Sequence, residues 1–125
     1  MNRAERRRAE RAQKKAARRQ DPDALFAEAL ARHNDGRADD AMKLAEQLLT
    51  AQPDHLDGLQ LAGMAAIQLD DADKALRFLG EKTRLDPENP HGHVNHGAAL
   101  QMAGDLEEAA DHFRRAIALD AGLAE

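Results

Sequence analysis

Residues 22–55 read PDALFAEALARHNDGRADDAMKLAEQLLTAQPDH, residues 56–89 read LDGLQLAGMAAIQLDDADKALRFLGEKTRLDPEN, and residues 90–123 read PHGHVNHGAALQMAGDLEEAADHFRRAIALDAGL. At this stride of 34 residues, Ala41, Ala75 and Ala109 share one column, and Ala29, Gly63 and Gly97 share another. Pro53 and Pro87 share a third, which Ala121 fills in the last block. A pair of helices cannot bury its apolar side alone, so copies repeated at a period of this length bury it for one another.

Turn signals divide each block into two helical stretches. Asp21-Pro22 suits a helix start, because Asp accepts from free amides and Pro tolerates the first helical position. That helix is expected to run to Asn34, where Asp35-Gly36 breaks it. The next, over 38–51, places Ala38, Ala41, Met42, Ala45, Leu48 and Leu49 on one face. The second block predicts helices over 56–69 and 72–85, the latter with Ala72, Ala75, Leu76, Leu79 and Leu85 inward. Asp86-Pro87-Glu88-Asn89-Pro90 punctuates the chain, with Asn89 placed to cap and Pro90 to open a helix. In the third block Asp105 and Glu108 resemble a capping box. Leu106, Ala109, Ala110, Phe113, Ala116 and Ile117 then repeat the offsets of residues 38–49.

These columns resemble those of tetratricopeptide-repeat (TPR) proteins over residues 22–123. The third block follows that pattern most fully, with Gly97, Ala109, Phe113 and Ala116 at its small and aromatic positions. The resemblance implies an all-α fold: an α-solenoid of three helix-turn-helix repeats (22–55, 56–89, 90–123) in a right-handed superhelix. This domain, 21–125, follows a basic arm at 1–20. Gly63 and Gly97 let paired helices approach closely, and Ala41, Ala75 and Ala109 do so from the other side. The Trp-like and Tyr-like columns of the family hold Leu25, Leu59, His93 and Arg32, Ala66, Leu100 here, so a core of smaller side chains is expected.

The resemblance also implies a concave groove built by the first helix of each repeat. Mapped onto this chain, its surface comprises Asp23, Phe26, Leu30 and His33, then Asp57, Gln60, Met64 and Ile67. His91, Val94, Ala98 and Gln101 continue it, with Asn95 at its edge. Apolar surface mixed with amide and imidazole groups suits an extended or helical peptide. No Lys or Arg falls at these positions, which argues against capture of a C-terminal carboxylate, and the two Asp residues favour a neutral or basic ligand. A protein-interaction scaffold is therefore the expected function.

The net charge of −5 hides two unlike pieces. Residues 1–20 carry nine Arg or Lys and two Glu, a net of +7, whereas residues 21–125 carry −12. The first piece has no Leu, Ile, Val or Phe. It is rich in helix formers but lacks an apolar side, so it is expected to fray or to stand as a helical arm. Arg6, Arg7, Arg8, Lys14, Lys15, Arg18 and Arg19 are candidate phosphate contacts. A nucleic-acid-associated adaptor is thus a second reading, although no aromatic is present there to stack on bases. A third reading, from the habit of TPR arrays to precede transferase domains, is an accessory subunit of a transferase system. Membrane insertion is not expected, because the arm's apolar side is only Ala.

The chain has no Cys or Ser, and its only Thr residues are Thr50 and Thr83. No nucleophile–base pair, phosphate loop or HExxH motif is present, so neither catalysis nor a cofactor is expected. His91, His93, His96 and His112 invite a metal reading, but no matching Cys or carboxylate motif accompanies them. His93 and His96 fall in helix-packing columns, so a structural role is expected and no metal is assigned. No apolar run nears the length of a membrane span and no secretory leader is evident, so the expected location is cytoplasmic. Ala118, Leu119 and Leu123 are expected to leave an apolar end, and with it a homodimer contact.

Overall fold

Asp21 accepts a hydrogen bond from the Asp23 amide at 3.2 Å, and Pro22 takes the first helical position of the helix that follows. The same column caps the first helix of the other two repeats with different chemistry. The His55 ring accepts from the Gly58 amide at 2.9 Å, and the Asn89 side chain accepts from His91 at 3.0 Å and Gly92 at 3.4 Å. Each cap satisfies amides that a helix start leaves free.

The computed structural model describes residues 1–124, apart from the side chains of residues 16–20 and 123–124. Its helices are α1 (Arg3–Gln20), α2 (Pro22–Asn34), α3 (Ala38–Ala51), α4 (Leu56–Gln68), α5 (Ala72–Leu85), α6 (Pro90–Met102) and α7 (Leu106–Leu119). A short 3₁₀ turn, Ala121–Ala124, packs on α7. Among the described residues there is no strand, and no helix is long and apolar enough to cross a membrane.

Within each repeat the two helices end and restart through one device. Gly36, Asp70 and Gly104 stand at φ of 77°, 57° and 88°, at the same stride as the alanine columns. In each case the next residue's amide reaches back five residues: Arg37 to Arg32, Asp71 to Ala66, Asp105 to Leu100. The left-handed residue itself bonds three back, to His33, Ile67 and Gln101. This is the Schellman closure, which satisfies the last carbonyls and is cheapest with Gly. The second repeat uses Asp70 there, one of the few side-chain-bearing residues that tolerate this region.

The helices stack in order. α2 packs on α3, α4 on α5 and α6 on α7 within repeats, while α3–α4 and α5–α6 join the repeats. α2 also touches α4, and α4 touches α6. Among the described residues the backbones of α3 and α5 stay apart, joined by the Lys74–Glu46 ion pair at 2.8 Å, and those of α5 and α7 stay apart as well. The first helices therefore crowd together on one side while the second helices fan apart on the other. The continuous core is alanine-rich and centred on α3, α4 and α5, with Met42, Leu49, Leu59, Phe78 and Leu79 as its larger members. Gly63 lies where any Cβ would enter the Leu79 side chain, and a Cβ on Gly97 would meet the Phe113 ring at 2.6 Å. Those two glycines set the closeness of the α4–α5 and α6–α7 pairs.

Two details depart from expectation, the bonding of Asp105 and the place of Leu85, while the arm takes the helical one of its two expected forms. Residues 3–20 are helical, started by a capping box in which Asn2 accepts from the Glu5 amide at 2.8 Å while the Glu5 carboxylate accepts from the Asn2 amide at 3.4 Å. The expected box at Asp105 is not formed; Asp105 precedes α7 without a side-chain bond, whereas Asp71 caps α5 through the Lys74 amide at 3.1 Å. Leu85 is exposed rather than inward, because Phe78 and Lys82 turn the buried face of α5. Lys82 is buried, with its Nζ 3.7 Å from Asp86 and against the space left by Gly92. A paired ammonium is how a lysine tolerates such burial.

Candidate functional site

The crowded side presents the surfaces of α2, α4 and α6. Leu30, Met64 and Val94 stand 38%, 36% and 36% exposed on those three successive helices. Phe26 is half-buried, its ring tilted against the capping ring of His55 with centroids 5.6 Å apart. Asp23, Asp57, His91 and Gln101 are exposed, and Asn95 and Ala98 are half-buried. Ile67 differs from its neighbours on this face, for it packs against the main core.

Two polar atoms here are enclosed without a partner. His33 Nδ1 and Gln60 Oε1 have neither solvent contact nor a hydrogen bond. The amide nitrogen of Gln60 reaches only the Met64 sulfur, at 3.9 Å. Exchanging the amide's O and N leaves one enclosed polar atom unpaired either way. An unsatisfied buried group costs about 1–3 kcal/mol, so such atoms call for a partner.

The columns assigned to packing sit as follows. Ala29, Ala41, Gly63, Ala75, Gly97 and Ala109 are buried, Phe113 is half-buried, and Pro53 and Pro87 are exposed in the turns that join repeats. Arg6, Arg7, Arg8, Lys14 and Lys15 are exposed on α1, whereas the side chains of Arg18 and Arg19 lie outside the described residues.

On the opposite side, α5, α6 and α7 bring together groups that are far apart in sequence. His93 Nε2 lies 2.7 Å from the Pro87 carbonyl oxygen, so it carries a proton and donates. His93 Nδ1 lies 3.0 Å from His112 Nδ1, so one of these two ring nitrogens donates to the other. The His96 and His112 rings are 4.1 Å apart, and His96 Nδ1 lies 3.0 Å from Thr83 Oγ1. Thr83 in turn reaches the carbonyls of Leu79 and Gly80. Burial, then the charges of His112 and His93, lowers the His96 pKa to about 4. His112 is lowered by burial first and by His93 and Arg115, against the opposing pull of Glu108 and Asp111.

A cleft of about 400 Å³ opens beside them, lined by Gly80, Thr83, Arg84, Pro87, His93, Asp111, His112 and Arg115. Among the described residues no group of three or more His, Cys, Asp or Glu side chains is arranged to hold a metal ion. The cluster is a hydrogen-bonded joint between helices. Sequence reasoning placed His93 and His96 in packing columns but had no signal for the Thr83 or Pro87 partners, since neither residue type announces a histidine bond. The His55 cap was legible in principle, because it shares its column with Asp21 and Asn89.

No protein-family model matches the sequence, and no curated protein is similar enough to count as a relative. Solved structures do share the fold. A MamA chain from Desulfovibrio magneticus RS-1 superposes with a TM-score of 0.78 at 22% identity, over 82% of this chain and 58% of that one. The present chain thus spans less than two thirds of the MamA chain. The second TPR domain of Spaghetti (RPAP3), bound to the HSP90 peptide SRMEEVD, gives 0.76 at 17% identity over 82% and 94%. The Yersinia enterocolitica type III secretion translocator chaperone SycD, in an alternative dimer, gives 0.74 at 21% identity over 80% and 76%. The fold is therefore an α-solenoid of the TPR type.

Proposed function

We propose that this chain is a non-catalytic protein-interaction scaffold that holds an extended or helical peptide along the face of α2, α4 and α6. The observation that carries this reading is the line of exposed Leu30, Met64 and Val94 on the three first helices. The apolar line supplies contact area, and exposed Asp23, Asp57, His91 and Gln101 are open to bond a peptide backbone. The Spaghetti domain of the same fold binds a peptide, which supports the class of ligand. That peptide carries acidic residues, whereas exposed Asp23 and Asp57 on this face favour a neutral or basic one.

The test is affinity capture followed by binding measurements on the captured peptide. Met64→Asp with Val94→Asp places charge on two exposed positions without touching the core. Binding is expected to fall at least tenfold, which corresponds to about 1.4 kcal/mol. Unchanged binding by the double variant refutes the groove.

One observation favours a second reading: every described side chain of α1 is exposed, and residues 1–20 carry a net of +7. On that reading α1 contacts phosphates, and deleting residues 2–20 abolishes salt-sensitive RNA or DNA retention. We also propose that the exposed end of the last helix pair self-associates, because large apolar side chains remain uncovered there.

A further inference from the structure

α7 shows the outside a stripe that α3 hides. Leu106, Ala110, Phe113 and Ile117 follow one line of the helix. Two repeats earlier the same line reads Ala38, Met42, Ala45 and Leu49, and all four are buried where α4 packs on α3. On α7, Leu106 is 64% and Ile117 45% exposed, with Ala110 and Phe113 half-buried.

The flank of this stripe is polarised. Glu107 and Arg114 stand on the same side and are both exposed, the acid toward the helix start and the base toward its end, where it also pairs with Asp111 at 2.6 Å. A depression of about 480 Å³ runs between them, lined by Leu106, Glu107, Ala110, Asp111 and Arg114. Such a surface is self-complementary in one orientation only. Two parallel copies related by a two-fold put their Glu107–Arg114 flanks on opposite sides of the seam, so neither charge meets its complement in the partner. Two antiparallel copies centred between Asp111 and His112 set Leu106 against the partner's Ile117, at both ends. They also bring Glu107 within two residues, about 3 Å along the axis, of the partner's Arg114. A closed two-fold contact requires the same patch on both subunits, which this stripe supplies.

We propose that α7 is a two-fold homodimer interface, packed antiparallel on α7 of a second copy through Leu106, Ala110, Phe113 and Ile117, with Glu107 paired to the partner's Arg114. This rests on the reading that the last helix pair self-associates, and it fixes occupant, direction and register. The interface lies on the second-helix side, so it leaves the α2, α4 and α6 face of both copies open.

Light scattering across a concentration series tests it on the full chain, with circular dichroism confirming that each variant is folded. Wild type is expected to rise from monomer to dimer mass, and Leu106→Asp with Ile117→Asp to remain monomeric at every concentration. Glu107→Arg is expected to weaken the dimer about tenfold through like-charge opposition. Adding Arg114→Glu to that variant should restore it. A wild type that stays monomeric overturns self-association itself. A dimer indifferent to Leu106→Asp with Ile117→Asp overturns this face as its seat. Loss in Glu107→Arg without rescue by Arg114→Glu overturns the antiparallel register.

Discussion

α3 and α7 carry apolar residues at identical offsets, and they meet opposite fates. Ala38, Ala41, Met42, Ala45, Leu48 and Leu49 are all buried, whereas in α7 only Ala109 and Ala116 of the matching six are. The reason is the neighbour. α3 is packed by its own partner α2 on one side and by α4 of the next repeat on the other. α7 has α6 and the short 3₁₀ turn, and among the described residues no further helix packs on it. An apolar face is a property of one helix, but burial is a property of two. The comparison also locates the molecule's stability, in the middle of the stack, and its unspent apolar surface, on α7.

Truncation gives the largest break in that comparison. Leu48 is fully buried, so Leu48→Ala is expected to cost about 3 kcal/mol in chemical denaturation. Ile117→Ala on α7 should cost under about 1 kcal/mol in dilute protein, because the site is already partly wet. A comparable loss from both would mean that α7 is covered after all. If α7 is the dimer seat, the Ile117 value grows with protein concentration while the Leu48 value does not.

The glycine columns sharpen the contrast at smaller cost. Gly63→Ala drives a Cβ into Leu79, which is fully buried and cannot retreat. A loss of about 2 kcal/mol is expected from such overpacking. Gly97→Ala drives one into the Phe113 ring, which is half-buried and can swing outward, so about half that loss is expected. Thermal melts of the two variants decide it, and a larger effect at Gly97 would reverse the ranking of the two pairs.

The third test uses acid, which acts on the joint where α6 and α7 meet α5. His96 is held below its ordinary 6.5, at about 4, so the folded chain binds fewer protons than the unfolded chain between those values. Its contribution is complete above about pH 6.5 and is lost as pH falls toward 4. The charged groups facing the cluster are Arg84 from α5, and Glu108, Asp111 and Arg115 from α7. A loss of about 1 kcal/mol is expected over that window, given partial solvent screening. Stability measured against pH should be flatter by this amount in His96→Gln; a variant that follows the wild-type curve removes the assignment.

The smallest effect concerns Asp70. Its left-handed backbone matches that of Gly36 and Gly104, so Asp70→Gly is expected to stabilise by about 0.5 kcal/mol, after the entropy that Gly adds to the unfolded chain. Gly36→Ala and Gly104→Ala should each destabilise instead. A destabilising Asp70→Gly would show that the Asp side chain contributes more than its strain costs.

Much of the fold was legible because punctuation coincided with periodicity. Asp21-Pro22, Asp35-Gly36 and Asn89-Pro90 mark boundaries that the structure keeps, and α3 and α5 span the expected residues. The turn at Asp70 was visible only as a break, since nothing in Asp-Asp specifies a positive φ. The candidate face was legible as columns, but which members stand free was not. Ile67 faces the core while Met64, one turn away, faces out, and that choice depends on where the neighbouring helices lie.

The amino-acid order alone determined the three helix pairs, their common stride, the apolar line on each helix and the division into a basic piece and an acidic one. Each of these is read from the order of residues along the chain, without knowing what meets what in space. The packed stack alone decided which of several equivalent apolar lines is covered, and that Lys82 is enclosed beside Asp86. It also decided that His93 donates to the Pro87 carbonyl, that His96 meets Thr83 and that His112 meets His93. A helix's periodicity fixes where a side chain points relative to its own axis; what it meets there is supplied by chain that lies far away in sequence.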